Sequence, residues 1–137
     1  MDDIEDIFVA RLMTTDLHTV GRDTLVEDAA AVLLDNDISS VLVVDDDDRL
    51  EGILTTTDFV DIVAKSQPKA QTTVERYMST EVVTADAQDT VADVAATMVD
   101  RGFHHVPVVD DEGAAIGIIT TSDLAAYVST AGTHTSA

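Results

Sequence analysis

The stretch GIITTSDL, Gly117 to Leu124, reads as a strand running into a helix, and GILTTTDF, Gly52 to Phe59, writes the same turn 65 residues earlier. In each copy a glycine precedes two apolar residues, a Thr stands three places before an Asp, and an apolar residue follows the Asp. A glycine at such a strand allows another backbone to come close. Two roles compete for the Thr–Asp pair. Thr55 with Asp58, and Thr120 with Asp123, fit a capping box, in which each side chain satisfies the other residue's backbone N–H at a helix start. The same groups suit a nucleotide: N–H groups and a hydroxyl for a phosphate, and a carboxylate for two sugar hydroxyls. Capping alone does not require the Gly-Ile before and the apolar residue after to recur, so the duplication favours a site made twice.

Working outward, the whole chain repeats. At the same spacing Met13 matches Met78, Thr19 matches Thr84, and Val43 to Asp46 match Val108 to Asp111. Thr24 aligns better with Thr90, at 66, and the slip closes before Ile38 meets Phe103. This alignment gives repeat one a shorter loop and a helical segment one residue longer. Each copy reads β-α-β-β-α. A short β segment (Leu17–Val20; Val82–Ala85) leads to a helix. In repeat two the stripe Val91, Val94, Ala95, Met98, Val99 has helical spacing. Thr24 with Glu27 and Thr90 with Asp93 read as capping boxes, and Gly102 suits the helix end. Two strands follow (Val41–Val44, Leu50–Leu54; Val106–Val109, Ala115–Ile119), then a second helix with apolar faces Phe59, Ile62, Val63 and Leu124, Tyr127, Val128. One such unit is too small to bury both faces of its sheet, and two packed together share a core. The expected division is 1–66, a first repeat with an N-terminal helix, and 67–130, a second repeat. Residues 66–75 join them as a linker, and 131–137 form a patternless, flexible tail.

Composition narrows the function. With 27 acidic against 7 basic residues, a net of −20, the surface repels polyanions, which excludes a nucleic-acid role. Abundant aspartate with only two lysines reads as adaptation to a salt-rich cell interior, where ~1 M salt cuts the Debye length to about 3 Å. There are no cysteines and hence no thiol chemistry. No apolar run approaches the ~20 residues of a membrane helix. The acidic start MDDIEDIF is unlike a signal or transit peptide, so the expected location is cytoplasmic. DDDDR (45–49) lacks the spaced ligands of a calcium loop and reads as a solvated hairpin turn. No nucleophile turn, zinc spacing or phosphate loop is present, so the chain is expected not to be an enzyme and to hold neither a metal nor a catalytic cofactor.

Taken in order, MTTDLHTV (13–20) and MSTEVVTA (78–85), FHHVPVVDDEG (103–113), GILTTTD and GIITTSD resemble a tandem pair of CBS domains, over about residues 10–129. The resemblance implies an α/β (α+β) fold with two β-α-β-β-α repeats packed by pseudo-twofold symmetry. It also implies a regulatory module binding adenosine ligands in clefts between the repeats. The family's closing G-h-x-T-x-x-D motif carries a ribose-binding role to Asp58 and Asp123 and a phosphate-side role to Thr55 and Thr120. Thr19 and Thr84 correspond to the adenine border, as do Val106 and Pro107. The matching positions of repeat one are Ser39, Ser40 and Val41, where repeat two has His104, His105 and Val106, so the two clefts are expected to differ, with a histidine near a phosphate in the second. The reading is therefore a sensor acting in trans on an unidentified regulated protein, as a homodimer whose surface includes part of the second-helix faces. Its ligand would be AMP first, with ADP, ATP and S-adenosylmethionine as alternatives, since few cations are present to hold a polyphosphate. The rival is a scaffolding module with empty clefts.

Overall fold

Residues 7–65 and 72–135 are described by the computed structural model. They fall into two compact units. One holds Leu17–Val82 with Asp111–Ala115. The other holds the chain up to Asp16, Val83–Asp110 and the chain from Ile116. We call them the Asp58 unit and the Asp123 unit.

In the Asp58 unit the central strand is β2 (Ser40–Val44). It pairs in parallel with β1 (Thr19–Val20) and antiparallel with β3 (Leu50–Thr55). Its residues 41 to 44 are all buried, so the strand is a continuous apolar run rather than an alternating one, as expected where both faces are covered. Val26, Ala29 and Leu33 of α2 (Val26–Asn36) pack with Val41, Val43, Leu54 and with Ile62 of α3 (Thr56–Lys65). In the Asp123 unit, Val94 and Met98 of α4 (Val91–Arg101) pack on Val106 and Val108 of β4 (His105–Val109) and on Ile119 of β5 (Ala115–Thr120). The unit also contains α1 (Val9–Leu12), whose Val9 is fully buried, and α5 (Thr121–Thr135). Among the described residues no helix is long and apolar enough to cross a membrane.

The structure corrects the slipped alignment. Helices α2 and α4 each have 11 residues and begin 65 apart. The N-cap of α4 is Thr90, whose hydroxyl accepts the Asp93 N–H, but the N-cap of α2 is Leu25, with no side-chain bond. Thr24 does other work: its Oγ1 accepts the Gly21 N–H at 3.1 Å, closing the turn before the helix. The matching bond in repeat two runs from Asp86 N–H to Asp89 Oδ2 at 2.9 Å. Thr24 therefore corresponds to Asp89, and two residues of different type do one job. The left-handed residue after α4 is Gly102, as expected, and Asp37 takes the same conformation after α2.

The segment read as a linker is partly core. Val74 is fully buried against α2, because Thr72 O accepts the Val26 N–H (2.9 Å) and Thr24 O accepts the Val74 N–H (2.8 Å). Residues 66–71 of that linker lie outside the described residues. The N-terminal segment does the same in the other unit: Val91 donates to Ile7 O and Val9 to Asp89 O, both at 2.8 Å. Each unit thus takes its lead-in segment from the chain that precedes the opposite repeat, and sequence repeat and compact unit are different divisions of the chain.

Three smaller differences from the sequence reading follow. Val99, Val63 and Val128 are 82%, 73% and 59% exposed. Each lies one position beyond a more buried residue (Met98, Ile62, Tyr127), and one helical step of ~100° carries it off the core face. In repeat two the β segment expected at Val82–Ala85 reduces to a single bridge, Ala85 to Val108. Helix α5 extends through Thr135, into the stretch read as a tail; 136–137 lie outside the described residues.

Candidate functional site

The quoted turn forms one end of the sheet in the Asp58 unit. Gly52 is buried where the chain around Ser79 crosses β3: Ser79 donates to Ile53 O (3.0 Å) and Ile53 donates back to Ser79 O (3.1 Å). A Cβ on Gly52 would stand 2.8 Å from Ser79 O and 2.9 Å from Met78 Sδ, so only glycine admits this crossing. Gly117 is pressed in the same way by Met13 Sδ at 2.6 Å and Thr14 O at 3.2 Å. Sequence reading matched the two methionines but did not assign Met13, Thr14, Met78 and Ser79 to the site. Their signal was the recurrence of Met followed by Thr or Ser at the same distance from each glycine.

Where β3 ends, Thr55 caps α3 and the capping box is present. Asp58 Oδ2 accepts the Thr55 N–H at 2.8 Å and the Thr55 hydroxyl at 3.2 Å, and Thr55 Oγ1 accepts the Asp58 N–H at 3.4 Å. In the Asp123 unit, Asp123 Oδ2 accepts the Thr120 N–H at 2.9 Å and Thr120 Oγ1 accepts the Asp123 N–H at 3.2 Å. The bonds to each aspartate's own turn therefore use one carboxylate oxygen only. The Oδ1 of Asp58 takes no hydrogen bond from the described residues, whereas Asp123 Oδ1 accepts one from the Thr14 hydroxyl at 3.4 Å. Both aspartates are half-buried. A carboxylate with one oxygen still directed away from its cap can accept from a sugar hydroxyl.

The other expected site residues divide by unit. Ser40 lies directly across from Thr55 in the ladder, and Ser39 O accepts the Thr56 N–H at 3.0 Å, so Ser39, Ser40, Thr55 and Asp58 meet at one sheet end. Thr19 is exposed on β1 opposite Leu42, two residues further along β2. Val41 is fully buried in the core cluster, so only its backbone is left for a ligand. In the Asp123 unit His104 O accepts the Thr121 N–H at 3.1 Å, which brings exposed His104 and half-buried His105 beside the start of α5 with Thr120 and Asp123. Val106 and Pro107 are buried. Exposed Thr84 precedes Ala85, whose N–H donates to Pro107 O at 2.9 Å.

A separate cavity of about 540 Å³ opens in the Asp58 unit, lined by Arg22, Asp23, Asp45 and Glu51 among others. It sits away from Asp58: Glu51 and Thr55 are four residues apart on β3, roughly 13 Å at strand rise. The Arg22 guanidinium donates from Nε and Nη2 to the Glu51 carboxylate and reaches Glu75 at 3.7 Å. The hydrogen bond and charge of Glu51 raise its pKa above the ordinary arginine value. Asp45 Oδ1 accepts N–H bonds from Arg49 (2.9 Å) and Asp47 (2.8 Å), which hold its pKa below the usual carboxylate value. DDDDR is thus a hairpin turn tied by its first aspartate.

Two sequence repeats of this plan, each closing on a Gly-strand and a capped Thr-x-x-Asp helix, match the profile of the CBS domain over residues 4–65 and again over 74–130. The chain belongs to the CBS-domain family. As a CBS pair it is 28% identical to the CBS-domain pair of protein MJ0100, whose structure is a complex with 5′-methylthioadenosine and S-adenosyl-L-methionine. The two superpose with a TM-score of 0.82 over 90% of this chain and 96% of that one. An uncharacterized 17.7 kDa protein of Acidianus ambivalens is 30% identical over 85% of this chain and 70% of its own length. A homoserine O-acetyltransferase of Methanosalsum zhilinae is 31% identical over 88% of this chain, which spans 24% of that enzyme's length. The mixed α/β fold of two CBS units is therefore the fold of this protein.

Proposed function

We propose that the protein is a regulatory sensor that binds an adenosine-containing ligand, with Asp58 and Asp123 accepting from the ribose hydroxyls. The observation that carries this reading is the geometry of the two carboxylates, each of which spends Oδ2 on its cap and keeps Oδ1 clear of it. The complex of the MJ0100 pair with two adenosine compounds supports the same ligand class. Thr19 and Thr84, with the backbone at Val41 and at Val106–Pro107, border the base. Ser39, Ser40 and Thr55 in one unit, and His104, His105 and Thr120 in the other, face the 5′ side. AMP ranks first among phosphorylated ligands, because ADP and ATP need cations that this chain scarcely has. Ligand binding acts by favouring whichever packing of the protein it binds better. A separate protein reads that change, and a homodimer in a salt-rich cytoplasm is the working form.

The complete capping boxes favour a second reading, a scaffolding module whose aspartates do nothing but cap. Asparagine separates the two. In Asp58→Asn and Asp123→Asn the amide oxygen still accepts the Thr55 or Thr120 N–H and so keeps the capping box, but the charge-assisted bonds to a sugar, about 1.5–3 kcal/mol each, are lost. Thermal unfolding in molar KCl with AMP, ATP, NAD or S-adenosylmethionine is the test. At a concentration of 100 Kd a ligand adds about 2.7 kcal/mol. The expected result is a rise in Tm that the double Asn variant abolishes while its ligand-free Tm stays close to wild type. No rise with any of the four ligands would leave the scaffolding reading in place.

A further inference from the structure

The two lead-in segments place one residue in the same position beside each Gly-strand. Thr14 and Ser79 stand 65 residues apart in the chain, and the same pair of backbone bonds fastens each of them. Thr14 donates to Ile118 O at 2.8 Å and accepts the Ile118 N–H at 3.0 Å. Ser79 donates to Ile53 O at 3.0 Å and accepts the Ile53 N–H at 3.1 Å. Both residues are exposed. The difference lies at the carboxylate. The Thr14 hydroxyl donates to Asp123 Oδ1 at 3.4 Å, whereas Asp58 Oδ1 accepts from no described residue.

Asp123 Oδ2 is turned to the Thr120 N–H, so Oδ1 is the oxygen clear of the cap, and Thr14 sits on it. The contact is long: an O–H···O bond ordinarily spans about 2.5–3.0 Å. It also faces water, so the hydroxyl loses little by leaving. A sugar hydroxyl at ordinary distance is the better donor and displaces it. The backbone of Thr14 is clamped to β5 on both sides, which leaves rotation about χ1 as the way out. Release of the hydroxyl therefore costs a rotamer change and leaves the lead-in segment in place.

We infer that the Thr14 hydroxyl competes with the ribose for Asp123 Oδ1, so that the lead-in segment lowers the ligand affinity of the Asp123 site and leaves that of the Asp58 site untouched. This rests on the adenosine reading above and adds to it a residue of the chain that sets the affinity of one site.

Calorimetry in molar KCl tests it in Asp58→Asn, where the Asp123 site alone keeps its carboxylate. The probe is AMP, or 5′-methylthioadenosine if AMP does not bind wild type. Thr14→Val, which removes the hydroxyl and keeps the shape, is expected to tighten binding about threefold, the effect of a hydrogen bond at the weak end of the usual range. Thr14→Ala should do the same and guards against a valine methyl standing where the sugar enters. The gain should vanish with either the 2′-deoxy or the 3′-deoxy form of the probe, whichever lacks the hydroxyl that meets Oδ1. In Asp123→Asn, which keeps the Asp58 carboxylate, Thr14→Val should give no gain. A gain that persists with both deoxy forms, or that appears equally in Asp123→Asn, would mean that the two hydroxyls act independently and would overturn the competition. So would the absence of a gain from both Thr14 variants, and in each of these cases binding of the probe to wild type preserves the adenosine reading. Failure of wild type to bind either compound would overturn both.

Discussion

The Asp58 unit and the Asp123 unit solve one packing problem with different residues. Each brings a methionine-led segment across its Gly-strand, seals a helix with a Thr-x-x-Asp box, and buries one large aliphatic residue beside the turn. Around that shared frame the chemistry diverges. Asp58 keeps an oxygen without a donor among the described residues, and its neighbours are serines. Asp123 receives the Thr14 hydroxyl, and its neighbours are histidines. The difference teaches that the two repeats kept what the backbone needs and diverged in the side chains around it. The glycine, the cap and the core are constrained by sterics and by N–H groups that need partners, whereas Ser39 and His104 serve the helix starts through backbone carbonyls, which leaves their side chains open to change.

The shared frame can be broken most severely at its core. Leu54 and Ile119 occupy matching positions and are fully buried. Leu54→Ala and Ile119→Ala should each cost about 3 kcal/mol, within the range for buried aliphatic truncation, as read from urea unfolding in molar salt. A loss below about 1 kcal/mol at one of them would show that the units are not equally packed.

The glycines sharpen the comparison, because the pressing atoms differ. At Gly52 the nearest obstacle is a backbone carbonyl already accepting the Ile53 N–H, which cannot retreat. At Gly117 it is the thioether of Met13, which can swing aside. Gly52→Ala should therefore cost about 2 kcal/mol and Gly117→Ala about 1, inside the usual range for overpacking. Equal costs would mean that the two crossings yield alike.

The smallest effect tests the alignment itself. Thr90→Ala removes a helix cap and should cost about 1 kcal/mol. Thr24→Ala removes an exposed turn bond, so a loss of roughly 0.5 kcal/mol is expected, at the lower end for a neutral hydrogen bond. Equal losses in chemical denaturation would restore Thr24 to the role of a cap.

Much of this was legible in advance. The five-element order of repeat one, the last four elements of repeat two, both hairpins and the Thr-x-x-Asp turns follow from apolar spacing and turn residues, and those signals are local. The alignment slip arose because Thr24 and Thr90 are identical in type, while the structural partners are Thr24 and Asp89. Side-chain oxygens of either residue close the same turn, so chemistry matched where identity did not. The buried role of Val74 was hidden for another reason: a single valine in a polar stretch carries no period, and only the segment beside α2 reveals it.

The sequence by itself determined that two copies of one β-α-β-β-α plan stand 65 residues apart, each ending in a capped carboxylate. It could do so because periodicity and capping are written within a few residues of one another. Only the tertiary structure decided which lead-in segment joins which repeat, that Thr14 reaches the second oxygen of Asp123, and that Ser39 O and His104 O take the first N–H of α3 and of α5. Those facts depend on atoms far apart in the chain meeting at hydrogen-bond distance, and no local pattern encodes which distant partner arrives.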